Sequence, residues 1–252
     1  MAELSTYALR LALYLALMLL FGRTLFVRPA LPRAAGLALP LIALALVIID
    51  AVTRLSGVLG VAPLDLDHET AHWFLTGTPV GEAGLLRILA VLAMLPLLAL
   101  DRPLQGLRRW VALVLAATAL ASLSWNGHAA AGDGLGGVLR QMAGIVHLLA
   151  AGAWVGAIAA ILQLALRPQG LRLRERTHAL WQAAHGVALP GTIIVATLAM
   201  TGTYTYVDLG GSAQTLTGTA HGRWLLLKLA LVAGMLGLAA LHRWRLVPAL
   251  AT

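Results

Sequence analysis

The sequence predicts an all-α polytopic membrane bundle of seven transmembrane helices, and three observations carry that prediction. Of 252 residues, 60% are apolar and 11% charged, and the mean hydropathy is +0.86, which excludes an ordinary soluble domain. The apolar runs are about 20 residues long, enough for a helix to cross a hydrocarbon core of roughly 30 Å. They are rich in Leu and Ala without strict alternation, which favours helices over a β-barrel.

The first span covers about 5–27. Met1 to Arg10 has no basic stretch and carries an acid at Glu3, so this run is expected to be a true span rather than a cleaved leader. The second, about 36–58, holds Asp50 and Arg54 four apart in its outer half. That spacing suits an intrahelical ion pair or, read functionally, a cation or proton relay. A long polar loop follows at 59–82, where Asp65, His68, Glu69 and His72 are expected on a short surface helix, with Trp73 and Phe74 as interface anchors. The third span, about 83–101, carries Arg87 one turn in and Met94 near mid-membrane. The fourth, about 108–126, ends at Trp125-Asn126-Gly127-His128. The fifth, about 139–166, places His147 about two turns in and Trp154 two turns further along the same face. Its Gly152 and Gly156 form a small-xxx-small ridge for close helix contact. The sixth, about 180–207, carries Met200 in its outer half, and the seventh, about 222–248, follows His221 and carries Lys228 and Met235. Pro40, Pro96 and Pro190 lie in or near spans, where neighbouring helices tolerate a kink.

Charge predicts the orientation. One set of loops carries Arg23, Arg28, Arg33, Arg102, Arg108, Arg109, Arg167, Arg172, Arg174, Arg176, Arg243 and Arg245. The other carries Asp65, Asp67, Glu69, Glu82, Asp133 and Asp208. The positive-inside rule puts the Arg-rich set in the cytoplasm, the N-terminus outside and the C-terminus inside. The same distribution explains the net charge of +8 without nucleic acid, because the basic residues sit in short loops. With no cysteine, disulfides and thiolate metal sites within the chain are excluded.

The chain also repeats itself. Leu75 to Arg102 aligns with Leu216 to Arg243 at a constant offset of 141, with 14 of 28 positions identical. Leu75-Thr76-Gly77-Thr78 matches Leu216-Thr217-Gly218-Thr219, Gly81 falls on Gly222, Arg87 on Lys228 and Met94 on Met235. Together these predict a single transmembrane domain over 1–252 with a 3+1+3 parallel internal repeat: about 5–102, a connecting span at about 108–126, and about 139–248.

Five of eight histidines fall on the outer side: His68, His72, His128, His147 and His221. Imidazole suits copper generally and thioether favours Cu(I), so outer histidines leading to Met142, Met200, Met94 and Met235 make a chemically plausible copper path. The competing structural reading makes each methionine a core gap-filler. His68 and His72, four apart, share a helix face that suits a metal clamp or a solvated loop equally. His147 is the sharpest candidate, because an ionisable residue inside a span is costly and usually faces the bundle interior. Its alternative is a buried imidazole bonded to a neighbouring helix. Arg87 and Lys228, one turn into their spans, are expected to snorkel to the outer headgroups, or else to face an anionic group such as a carboxylate or haem propionate.

These motifs bring in a family resemblance. Gly202-Thr203-Tyr204, then Thr219-Ala220-His221-Gly222-Arg223-Trp224 leading to Lys228, and finally His242-Arg243-Trp244-Arg245 with Pro248 resemble the copper-resistance protein D (CopD) family. His147 with Trp154-Val155-Gly156, and Gly127-His128, are also similar to it. The resemblance implies a bacterial inner-membrane protein that moves copper inward from the periplasm, often beside a periplasmic copper-binding partner. The helix around His147 and Trp154 is also similar to one in the membrane protoporphyrinogen oxidase family. That second resemblance implies b-type haem, with His147 paired to His128 or His221 as axial ligands. No phosphate-binding loop appears, so transport is expected without a nucleotide motor. The expected partners are the lipid bilayer and copper, as Cu(I) in the methionine reading.

Overall fold

The computed structural model describes residues 2–26, 33–100, 103–126, 134–166 and 173–241, and every regular element among them is helical. These residues form helices α1 (Ala2–Phe26), α2 (Arg33–Leu59), α3 (His68–Gly77), α4 (Pro79–Leu98), α5 (Gly106–Ala121), α6 (Gly134–Leu166), α7 (Leu173–Asp208), α8 (Ala213–Gly218) and α9 (Ala220–Leu241). Short 3₁₀ turns at Pro63–Asp65 and Ser122–Trp125 complete the list. Five described segments are long and apolar enough to cross a membrane: Leu4–Phe26, Gly36–Leu59, Pro79–Leu98, Gly106–Trp125 and Gly134–Leu166. They coincide with the first five runs read from hydropathy. α7 and α9, of 36 and 22 residues, occupy the remaining two as helices. The chain is a multi-pass membrane helical bundle.

The core lies among α1, α2, α4, α5 and α6. Leu13, Leu17 and Leu20 of α1 meet Val47 of α2, Val91 and Met94 of α4, and Leu120 of α5. α5 turns an alanine stripe inward at Ala112, Ala116 and Ala119, which lets its neighbours approach closely. The ridge at Gly152 and Gly156 packs against α1. A β carbon on Gly22 would stand 2.3 Å from the Gly156 Cα, and one on Gly156 would stand 2.2 Å from the Gly22 Cα. Only glycine permits that crossing, because lipid tails supply no hydrophobic drive and backbone packing must hold the pair.

Two helix junctions built from matching sequence adopt matching geometry. At the first, the Thr78 hydroxyl caps α4 by accepting from the Gly81 amide at 3.0 Å and donates to the Phe74 carbonyl at 2.8 Å. At the second, the Thr219 hydroxyl accepts from the Gly222 amide at 3.0 Å and donates to the Thr215 carbonyl at 2.7 Å. Each turn folds so tightly that a β carbon would collide with backbone: 1.8 Å from the Phe74 oxygen at Gly81, and 2.3 Å from the Leu216 and Thr215 oxygens at Gly222.

The surface helix expected around His68 and His72 is α3. The Asp67 carboxylate caps it, accepting from the Thr70 amide at 2.8 Å. Its aromatic pair divides its roles, which corrects the sequence expectation. Trp73 is 57% exposed and suits an interface anchor, whereas Phe74 is 7% exposed and packs inward. Neighbours on a helix point about 100° apart, so they cannot both face the headgroups.

Candidate functional site

A cavity of about 590 Å³, with a few polar groups set in a mostly apolar wall, opens near one end of the bundle. Its walls come from Tyr14 of α1, the Ser122–Trp125 turn and Asn126, His147 of α6, Gly202, Thr205 and Tyr206 of α7, Thr215 of α8, and Thr219 and Gly222 at the α8–α9 junction.

His147 is half-buried in this lining, and its Nδ1 lies 2.9 Å from the Thr201 Oγ1 of α7. The ring lies beside Gly202, where an added β carbon would stand 3.7 Å from Cε1. Across the cavity, α5 tightens into its final 3₁₀ turn, which is held from two sides. Buried Arg87 reaches in from α4, donating from Nε to the Ser122 hydroxyl and from Nη2 to the Ser122 carbonyl, both at 2.9 Å. Ser122 passes its own proton to the Ala119 carbonyl at 2.8 Å. From α6, the Gln141 amide donates to the Ser124 hydroxyl at 2.8 Å. Two amide atoms here remain without hydrogen-bond partners among the described residues: Nδ2 of Asn126, which lines the cavity, and Oε1 of Gln141. A buried polar atom left unpaired costs about 1–3 kcal/mol.

The rim is built by a clasp after α7. The Tyr206 hydroxyl donates to the Ser212 carbonyl at 2.8 Å, and Ser212 and Thr215 form a reciprocal capping box on α8. Gly210 supplies the positive φ of +78° that turns the chain back. Beside it, the Arg140 Nε donates to the Asp208 carboxylate and ties α6 to α7.

The sequence-derived candidates scatter around this cavity. His147 lines it. His221 directly precedes the lining residue Gly222 at the start of α9, and its side chain lies outside the described residues, as do those of Lys228 and Met235. His128 lies wholly outside them. His68 and His72 sit exposed on α3 with ring centroids 6.4 Å apart, away from the cavity. Three of the candidate methionines, Met142, Met200 and Met94, do not join His147. Met142 is 50% exposed, because five residues along a helix turn it about 140° from His147. Met200 is 73% exposed, and Met94 is sealed at 0% within the core. Trp154 is partly buried and contributes nothing to the lining. Asp50 is 2% exposed and takes the ion-pair reading, with its carboxylate 2.7 Å from the Arg54 Nε. Arg87 overturns the snorkelling expectation. It is 2% exposed, turned inward, and bonded to Ser122 instead of the headgroups.

Sequence reasoning passed over Thr201, Gln141, Tyr206 and the Ser122–Ser124 turn. A signal was present for the first: Thr197, Thr201 and Thr205 recur every four residues, a polar stripe on one face of an apolar helix. The turn had one too, in two serines closing an apolar run.

Fold and cavity together define a multi-pass membrane protein with a hydroxyl-rich cavity holding one imidazole among its described lining residues. The chain belongs to the copper resistance protein D family. Residues 1–138 match the family model for the copper resistance protein D-like N-terminal domain, and residues 188–252 match that for copper resistance protein D. A copper resistance protein D from Pseudomonas syringae pv. tomato is 31% identical over 255 aligned residues, covering 96% of this chain and 82% of that protein. No solved structure matches.

Proposed function

We propose that this protein takes up copper ions at the outer end of its bundle and carries them inward across the bacterial inner membrane. Family membership supports the cargo. One observation carries the residue assignment: His147 is the imidazole that reaches the cavity from within a span, where an ionisable group is tolerated only for a purpose or with a partner. In this reading α7 and α9 complete seven spans, and the Arg-rich loops face the cytoplasm. The cavity then opens to the periplasm, because its walls come from helix ends on the acidic-loop side, near Asp208. His68 and His72 collect copper at the surface, delivered by a periplasmic copper-binding protein, and His128 and His221 join His147 around the cavity. The exposed and core methionines are not part of this route. Sparse ligation suits transport, which requires each site to release what it binds.

The test is copper uptake into proteoliposomes carrying an internal Cu(I) indicator, together with metal analysis and a visible spectrum of the purified protein. Stoichiometric copper is expected, with uptake at least about tenfold lower in His147→Ala protein of unchanged helicity. Unchanged uptake would remove His147 from the route. A stoichiometric Soret band would replace copper transport with b-type haem.

A further inference from the structure

We infer that Thr201 holds the His147 ring in its Nδ1-protonated form, so that Nε2 is the atom offered to a metal ion; the second half rests on reading His147 as a copper ligand.

The argument is a proton count. A threonine hydroxyl has one proton to give and two lone pairs to receive with. The Thr201 Oγ1 lies 2.6 Å from the Thr197 carbonyl one turn earlier on α7, and 3.3 Å from the Leu198 carbonyl. A carbonyl only accepts, so the short contact consumes the hydroxyl proton. The remaining contact, 2.9 Å to the His147 Nδ1, must then be supplied with a proton by the ring. A neutral imidazole carries one N–H, and if Nδ1 holds it, Nε2 keeps a free lone pair. Metal-binding histidines are commonly oriented in this way, by a hydrogen bond from the ring nitrogen that does not bind.

The surroundings reinforce the choice. Thr205 repeats the pattern one turn on, donating to the Thr201 carbonyl at 2.9 Å, so the threonine stripe satisfies itself along α7. Thr201 thus meets the ring as an acceptor already fixed in direction. It is a positioning residue and touches no cargo itself.

The discriminating substitution is Thr201→Val, which keeps the branched shape and removes the acceptor, with Thr201→Ser restoring it. Full-length protein with ring-15N histidine is placed in nanodiscs at a pH where imidazole is neutral, and the His147 signals are assigned by their absence from His147→Gln protein. In the wild type and Thr201→Ser, Nδ1 is expected to be protonated and Nε2 bare. In Thr201→Val the two nitrogens are expected to shift toward the mixture of a solvated imidazole, and Cu(I) affinity to fall about tenfold. A wild-type spectrum with the proton on Nε2, or a Thr201→Val spectrum unchanged, overturns the inference. A shifted tautomer with unchanged Cu(I) affinity overturns the ligand role of Nε2, and with it the assignment of His147, while the hydrogen-bond reasoning stands.

Discussion

The α3–α4 and α8–α9 junctions share their sequence and their hydrogen bonds, yet what surrounds them differs. Thr78 and Thr219 make the same two bonds, and Gly81 and Gly222 press against backbone in the same way. Beyond the junction the helices part. α4 buries Arg87, Val91 and Met94 against α2 and α5, whereas α9 leaves Trp224, Leu227, Leu231 and Val232 exposed. Val91 and Val232 occupy matching positions, the first 0% and the second 47% exposed. The first junction leads through α4 into the packed core, and the second lines the cavity. Identical local chemistry therefore builds a structural joint in one place and a wall of the candidate site in the other.

The strongest challenge to that equivalence is to crowd both turns. Gly81→Ala and Gly222→Ala should each cost about 3 kcal/mol, because the new methyl meets backbone that cannot move aside. Unfolding in mixed detergent reads the cost, and free tolerance at either position would break the parallel. Arg87→Lys comes next. It installs in α4 the residue that α9 carries at Lys228, and it removes the planar fork that reaches Ser122 twice. The loss of one charged hydrogen bond should cost about 2 kcal/mol in the same assay, and an unchanged midpoint would show that the fork is dispensable.

A third pair separates burial from local structure. Val91→Ala should cost about 1 kcal/mol in lost packing, while Val232→Ala should stay within about 0.5 kcal/mol. Equal effects would mean that α9 is covered in the folded protein. The smallest effect concerns the two helix caps before these junctions. Hydrogen bonds from the Thr70 hydroxyl and amide hold the Asp67 carboxyl below the usual carboxylate range. Its capping contribution is therefore complete above the ordinary value of about 3.9 and is lost as the pH falls through the depressed folded value. Ser212, which caps α8, does not titrate in this range. Acid should shift the Thr70 Cα resonance toward coil and leave Thr215 in place. Parallel shifts at both would show general unfolding instead of a titrating cap.

Most of the helix pattern was legible in the residues. The expected span at 36–58 is α2 at Arg33–Leu59, and 139–166 is α6 at Gly134–Leu166, because the apolar length that a bilayer requires is written directly in the sequence. The surface helix at His68 and His72 was also legible, from its acidic start and polar face. The ion pair of Asp50 with Arg54 was readable for the same reason, since a four-residue spacing already fixes which side chains meet.

The candidate site was legible only in His147. Its hydrogen-bond partner Thr201 lies 54 residues away, and Arg87 finds Ser122 across 35. Nothing local predicts such meetings, because they depend on how each helix is rotated about its axis. Three methionines leave the expected path on the same account: residue type suggested a soft-metal path, but rotation sent Met142 and Met200 outward and Met94 into the core.

The sequence by itself determined that the chain crosses a membrane as helices, roughly where each helix begins and ends, and how the two Thr–Gly junctions turn. These follow from hydropathy and from hydrogen bonds among residues at most a few positions apart. Only the tertiary structure decided which matching helix is buried, that Arg87 points inward, and that His147 meets Thr201 beside a cavity. Those outcomes depend on helix rotation and packing, where a change of one residue in register turns a side chain by about 100° and exchanges lipid for protein as its neighbour.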